Sequence, residues 1–288
     1  MKLSQAILRA VAVFVSISLL QLLAGVVAAI ILPPKPMPNL AAHLLQWMLG
    51  MNALTIAVLA VVAVRSEWRG WQLGIAVAVI PAAITFVNGI EGVVFLPNSP
   101  IDWPRVFLTT GLTALFSVPV WMLLFGRRSE EPGKDQMEHF HPIASKPRSE
   151  RAWKFVLSDF SYLVFYFIAG SIVFPYVKAF YATQVLPKYS TILGLELLIR
   201  GPVFVVLCLL LVRMLGLPRL SGALAVGAVF TILSGVVPLM MPNPFFPDAV
   251  RWAHFCEVTS SNFVFGAVVA WLWGRPRLTA PLALQHAA

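Results

Sequence analysis

Charged and amide side chains stand inside long apolar stretches of this sequence. Glu196 precedes Arg200 by four residues, which is the favourable order and spacing for an ion pair along one helix. His254 and Glu257 stand one helical turn apart, a spacing at which an imidazole and a carboxylate can hold one metal ion. Since a charge in apolar surroundings is costly, such residues usually pair with one another or serve a functional site. The candidate pocket residues are Glu91, Glu196, Arg200, Arg251, His254 and Glu257, with a secondary set of His43, Gln46, Asn52, Asn88 and Asn262.

These residue types fit three kinds of site. The first is a water-lined pocket for a small solute or ion, in which carboxylates supply negative charge or exchange protons and arginines pair with them or hold an anion. The second is a metal-dependent intramembrane enzyme, with His254 and Glu257 as candidate ligands; di-iron bundles use Glu-x-x-His twice, whereas here the motif occurs once and reversed. The third is a membrane scaffold or assembly protein whose buried charges only hold helices together. We favour the pocket over the enzyme, and the sequence identifies neither a metal set nor a cofactor.

The stretches that carry these residues are long enough to be membrane helices. Hydrophobic residues make up 59% of the 288-residue chain and charged residues 11%, against roughly 45–50% and about 25% in soluble domains. A helix needs about 20 mainly apolar residues to cross a bilayer. Eight runs meet this length, at residues 8–32, 40–64, 71–95, 105–126, 153–175, 191–214, 219–240 and 251–274. The predicted fold class is therefore all-α, a polytopic integral membrane protein with about eight transmembrane helices.

The basic residues predict the orientation of these helices. With the N-terminus inside, fifteen Lys and Arg residues fall on the inner side and five on the outer side, while Arg200 lies within a span. Because cytoplasmic loops accumulate Lys and Arg, we expect both termini in the cytoplasm, with the protein in a bacterial-type inner membrane. The net charge of +9 is spread between hydrophobic segments, which argues against a nucleic-acid partner. The expected partners are the lipid bilayer and a small solute or ion, and most candidate residues would lie in the outer part of the membrane.

The two halves of the chain share a set of landmarks. Residues 96–105 contain Leu-Pro-Asn and then Asp-x-x-Arg at the start of the fourth run, and residues 241–251 contain Met-Pro-Asn and then Asp-x-x-Arg at the start of the eighth. Similar composition alone could produce such a match, but we interpret it as a duplicated four-helix unit. Because four is even, both copies enter the membrane from the same side and the repeat is parallel. The predicted organisation is a first membrane repeat at 1–126, a hydrophilic cytoplasmic linker at 127–152, a second membrane repeat at 153–276 and a cytoplasmic tail at 277–288.

Overall fold

The computed structural model describes residues 3–33, 44–97, 101–126, 147–242 and 246–274. Residues 127–146 of the predicted linker and the predicted tail lie outside these ranges. Within them the regular elements are helices, and eight are long and apolar enough to cross a membrane. They are α1 (Leu3–Ile31), α2 (Leu44–Arg65), α3 (Gly70–Phe95), α4 (Trp103–Phe125), α5 (Arg148–Tyr181), α6 (Tyr189–Leu215), α7 (Arg219–Met240) and α8 (Asp248–Trp273). The predicted all-α class is confirmed, and the eight apolar helices indicate a multi-pass membrane protein.

Helix α5 is longer at both ends than its apolar run predicts. It begins at Arg148, so residues 148–152, which the sequence assigns to the linker, are helical. It continues to Tyr181, beyond the predicted end at residue 175. The extension is held by packing, because Val173 and Val177 are buried in a small hydrophobic cluster with the start of α8. Tertiary contacts therefore lengthen this helix past the limit set by local hydropathy.

The helices pack in the same order in both halves of the chain. In the first half (α1–α4), α4 lies along α1 and α3, and α1 contacts α2. In the second half (α5–α8), α8 lies along α5 and α7, and α5 contacts α6. The halves meet through α2 and α3 on one side and α6 and α7 on the other. Trp121, Phe204, Phe230 and Phe265 are almost fully buried in a core to which both halves contribute.

Glycines bring neighbouring helices close together in each half. A Cβ atom on Gly74 of α3 would lie 2.8 Å from the carbonyl oxygen of Val118 on α4. A Cβ atom on Gly227 of α7 would lie 2.8 Å from the carbonyl oxygen of Phe263 on α8. Both distances are too short for a real side chain, so only glycine permits these crossings. Small residues at such contacts let membrane helices pack through extensive van der Waals contact.

Two helices contain a wide, π-helical turn just before a proline. The turn is Glu196–Arg200 in α6 and Ile232–Val236 in α7. In each, the amide that follows the turn donates to the carbonyl oxygen five residues back. Pro202 and Pro238 come directly after, and a proline ring would crowd the carbonyl four residues back in a regular α-helix. The wider turn accommodates the ring, and in α6 it carries Glu196 and Arg200 at its two ends.

Hydrogen bonds close the end of the bundle where α2 leads into α3 and α6 leads into α7, which we call the short-loop end. The backbone amide of Glu67 donates to the carbonyl of Met214 at 2.6 Å and so joins the two short loops. Lys154 and Arg219 donate to carbonyls at the C-terminal end of α8, at 3.1 and 3.3 Å. These carbonyls have no partner within their own helix, and cations stabilise a helix C-terminus. The short-loop end is therefore tied together across both halves.

Candidate functional site

Arg200 is the centre of a buried ionic cluster between α3, α5 and α6. Its Nη1 atom lies 2.5 Å from Glu91 Oε1 on α3 and 3.7 Å from Glu196 Oε1 on its own helix. Its Nη2 atom donates to Asn88 Oδ1 at 3.5 Å. Tyr162 on α5 donates to Glu196 Oε2 at 3.1 Å. These five residues form the Arg200 cluster, and four of them are sequence candidates that the structure brings together.

The Arg200 cluster is largely closed off from its surroundings. The side chain of Glu196 is 0% exposed, that of Arg200 5% and that of Glu91 25%. The rings of Phe204 and Tyr162 flank the guanidinium, with centroids 5.2 and 5.9 Å from Arg200 Cζ. Aromatic faces attract a cation at this distance. Glu91 is thus the most accessible of the three charged members.

Three polar atoms in and beside the cluster have no hydrogen-bond partner in the part of the chain that the structure describes. They are Glu196 Oε1, Arg200 Nε and Asp159 Oδ1. Asp159 on α5 faces Gly201 of α6, where a Cβ atom would collide with the carboxylate. The same Cβ atom would lie 2.9 Å from the backbone carbonyl oxygen of Glu196. Buried polar atoms without partners point to a bound ion, water or ligand, and here oxygen atoms predominate.

The charges of the Arg200 cluster do not cancel. Glu91 and Glu196 both form ion pairs with the single guanidinium of Arg200. When both carboxylates are ionised, the group carries an excess of one negative charge. In apolar surroundings such an excess is costly and is removed by a proton or a bound cation. The arrangement therefore favours a proton or a small cation at the carboxylates.

A second polar group links α5 to α8. His254 Nδ1 lies 2.7 Å from Glu257 Oε2, one turn further along α8. His254 Nε2 lies 2.8 Å from the hydroxyl oxygen of Tyr181, the last residue of α5. The side chains of His254 and Glu257 are 15% and 11% exposed. Tyr181, His254 and Glu257 form the His254 triad, in which one imidazole connects a phenol to a carboxylate.

Tyr166 lies on α5 between the two groups. It is next to Tyr162 of the cluster, with ring centroids 6.2 Å apart. One turn further along α5, a Cβ atom on Gly170 would be 3.3 Å from Oε1 of Glu257 in the triad. One face of α5 therefore runs from the cluster past Tyr166 to the triad, and we call the residues along it the polar region.

The tyrosines of this region lie outside the set of sequence candidates. Asp159, Tyr162, Tyr166 and Gly170 recur at intervals of three and four residues along α5. This spacing places them on one helix face, where they meet α6 and α8. This spacing could have identified these residues from the sequence, but a tyrosine in an apolar run also occurs at ordinary positions of membrane helices.

Arg251 is a sequence candidate that the structure places outside the cluster. Its Nη1 atom donates to the carbonyl oxygens of Leu239 and Met240 at 2.9 and 3.1 Å, at the end of α7. Its Nη2 atom contacts Asp248 Oδ1 at 3.0 Å, and its Cζ atom lies 4.7 Å from the centroid of Trp252. These contacts engage the guanidinium in capping α7, away from His254 and Glu257 on the same helix.

The structure places the described secondary candidates at different sites. Asn88 joins the Arg200 cluster. Asn262 donates to Ser234 Oγ at 2.9 Å in the π turn of α7. Asn52 donates to Gln21 Oε1 at 2.5 Å between α2 and α1. Gln46 is an exposed residue near the start of α2, and His43 lies outside the described residues.

The described side chains provide two metal-type ligands at one place, not a larger set. His254 and Glu257 lie side by side, as their spacing predicts. Within the described ranges, no three His, Cys, Asp or Glu side chains converge on one point.

The chain matches no family model, no curated protein and no solved structure. A functional proposal for it must therefore be argued from its own residues.

Proposed function

We propose that this membrane protein binds a small solute or ion in a polar pocket between its halves and moves it across the membrane, with the Arg200 cluster as a proton or cation site. The eight apolar helices support a multi-pass membrane location. The observation that carries the proposal is that Glu91 and Glu196 share one guanidinium inside the bundle. A cluster serving only to join helices would be expected to balance its charges.

The second carboxylate of the cluster adds a free-energy cost inside the membrane. One charge near the centre of a bilayer costs at least about 2.5–3.5 kcal/mol on insertion scales, and Arg200 offsets one such charge. The remaining negative charge favours uptake of a proton or a small cation. Glu196 Oε1 and Asp159 Oδ1 accept no hydrogen bond from the described residues and can serve as oxygen ligands. Oxygen donors suit hard cations such as Na⁺ or K⁺, and protons compete for the same atoms.

The orientation and the repeat belong to the same proposal. The excess of Lys and Arg on one side supports cytoplasmic termini in a bacterial-type inner membrane, with the pocket opening outward. The equal packing order of α1–α4 and α5–α8 supports two parallel repeats. Under that symmetry, α2 and α3 correspond to α6 and α7, which are the helices through which the halves meet. The pocket would then lie at the interface of two related units, as in many transporters.

The test uses the full chain, in detergent and in proteoliposomes. Thermal stability is measured against increasing Na⁺ and K⁺, with choline as the reference cation, and proton movement is followed with a pH dye inside the vesicles. We expect Na⁺ or K⁺ to raise the melting temperature of the native protein, because a ligand stabilises the state that binds it. Glu91→Gln and Glu196→Gln should abolish that rise and the proton movement. Glu67→Gln removes one carboxylate at the short-loop end and should change neither.

Two outcomes would overturn the proposal. If both glutamine variants keep native cation binding and proton movement and lose only thermal stability, the cluster holds helices together and the scaffold hypothesis gains. If the purified protein carries near-equimolar transition metal that His254→Ala and Glu257→Gln both lose, the metal-dependent enzyme gains instead.

A further inference from the structure

The His254 triad has the connectivity of a proton relay. A carboxylate accepts hydrogen bonds but donates none, so an ionised Glu257 faces a hydrogen on Nδ1 of His254. When the imidazole is neutral, its Nε2 atom is then the acceptor for the hydroxyl of Tyr181. Tyr181 ends α5, whereas Glu257 lies nine residues inside α8, counted from Asp248. The three side chains thus lead from a helix end toward the interior.

We propose that His254 passes protons between the Tyr181 end of the bundle and Glu257, and so controls the protonation of the polar region that contains the Arg200 cluster. This inference rests on the proposed function, because it supplies the route by which protons reach that region.

The proton moves through the triad in two steps. A proton reaches the oxygen of Tyr181 from water while the tyrosine's own proton moves to Nε2, which leaves a neutral phenol and an imidazolium. The Nδ1–H bond then breaks and its proton moves to Glu257 Oε2, which leaves a neutral imidazole and a carboxylic acid. Once Glu257 has released its proton, Nε2 gives its hydrogen to water and Nδ1 takes one from water, which restores the first tautomer. One proton enters and one leaves, and no other reactant is needed.

The surroundings of His254 favour transfer along the triad. The ring of Phe246 packs 5.0 Å from the imidazole and that of Tyr181 packs 5.7 Å from it, so aromatic walls limit other routes. On α8, Arg251 and Asp248 are engaged with each other and with the end of α7. These contacts leave the nearest charges to the triad on other helices.

Two further helices bring titratable groups toward the triad. On α3, Glu91 lies within Coulombic range of Tyr181. On α5, Tyr166 lies within Coulombic range of both Glu91 and Glu257, and Lys178 is exposed at the surface. A proton gained or lost at Glu257 therefore changes the electrostatic environment of Tyr166, which lies next to Tyr162 of the Arg200 cluster.

The test separates proton delivery from cation binding. A pH jump is applied to the full chain in detergent, and the infrared carboxyl band that disappears in Glu257→Gln is followed with time. We expect His254→Gln, which keeps polar groups in place but carries no proton, to slow the appearance of this band by about a hundredfold. Tyr181→Phe should slow it as well. Tyr176→Phe, which removes an exposed phenol of α5, should leave the rate unchanged.

Two readouts keep this inference distinct from the proposed function. Nitrogen NMR of His254 should find hydrogen at Nδ1 and none at Nε2 in the neutral state, and added imidazole should restore the rate in His254→Ala. A native rate in His254→Gln would overturn the relay even if the protein binds cations. Conversely, His254→Gln could slow the rate while the native protein neither binds cations nor moves protons across vesicles. That result would retain the relay and refute the proposed function.

Discussion

Arg251 and Arg200 are both buried cations, but they do different work. Arg251 caps the end of α7, so we expect Arg251→Gln to lower the free energy of unfolding by about 2–4 kcal/mol, because several charge-assisted hydrogen bonds disappear together. Cation binding at the Arg200 cluster should stay at the native level. Unfolding in mixed detergent and cation-dependent melting measure the two effects. Lys178→Gln, which removes an exposed cation, should change stability by less than about 0.5 kcal/mol.

Gly201 is a second residue whose role can be measured. A side chain at this position would meet the carboxylate of Asp159 and the carbonyl oxygen of Glu196, so Gly201→Ala should cost about 1–3 kcal/mol of stability. Gly194→Ala on the same helix meets no atom within 4 Å and should be neutral or stabilise by up to about 1 kcal/mol. In a double-mutant cycle, Asp159→Ala should recover part of the loss at Gly201. Strict additivity would contradict the close approach of these two residues.

For individual residues, the sequence predicts contacts along one helix better than contacts between helices. The interval between Glu196 and Arg200 predicts their pairing, and the structure contains it. Nothing in the sequence places Glu91 against Arg200, because that contact depends on how α3 and α6 are rotated about their axes. Nor does the spacing along α8 show that the long side chain of Arg251 turns back to the end of α7.

The π turn of α6 sets the distance between Glu196 and Arg200. Pro202→Ala restores a backbone amide, so we expect the wide turn to relax toward a regular α-helix and to shift Glu196 relative to Arg200. Cation affinity should fall by about tenfold, which corresponds to about 1.4 kcal/mol. Pro175→Ala, at a proline inside α5 without a π turn, should leave the affinity unchanged. Amide hydrogen exchange at residues 196–202 should register the change in α6, and unchanged exchange there with unchanged affinity would contradict it.

Hydropathy predicts where helices exist more accurately than how they are built. The predicted run at 219–240 coincides with α7, because charge and proline bound it on each side. The ends of α5 differ because they are held by packing and hydrogen bonds, which composition does not record. The π turns do not alter composition either. Only Pro202 and Pro238 signal them, and proline also occurs in membrane helices that lack such a turn.

On the scale of the whole molecule, the halves should stay together without a covalent link. A protease site inserted between residues 126 and 147 should be cut without loss of cation binding, because α2, α3, α6 and α7 hold the halves in contact. Size-exclusion chromatography of the cut protein should give one peak that contains both fragments. A site inserted between Leu215 and Arg219 should lower stability, since it disturbs the bond from Glu67 to Met214. Separation of the fragments after the first cut would contradict the interface.

The shared landmarks predict a duplication, which stays a prediction, and composition does not predict how the halves dock. A leucine that faces lipid and a leucine that faces another helix are equally apolar. Val61 and Leu224, for example, are 62% and 55% exposed, whereas Leu59 and Val226 nearby are 2% and 0% exposed. In a soluble protein the exposed positions would be polar and would reveal the buried face. A membrane helix lacks that contrast, so its rotation must come from structure.

The contact between Glu91 and Arg200 crosses the boundary between the halves, since α3 belongs to the first and α6 to the second. Any rocking of one half against the other must lengthen or break this contact. By reciprocity, whatever neutralises Glu91 makes rocking easier, and rocking that separates the pair makes Glu91 easier to neutralise. Binding of a proton or cation at the carboxylates and the relative position of the halves are thus thermodynamically coupled. Under the proposed function no separate gate is needed, because the cation or proton that neutralises Glu91 also weakens the contact between the halves.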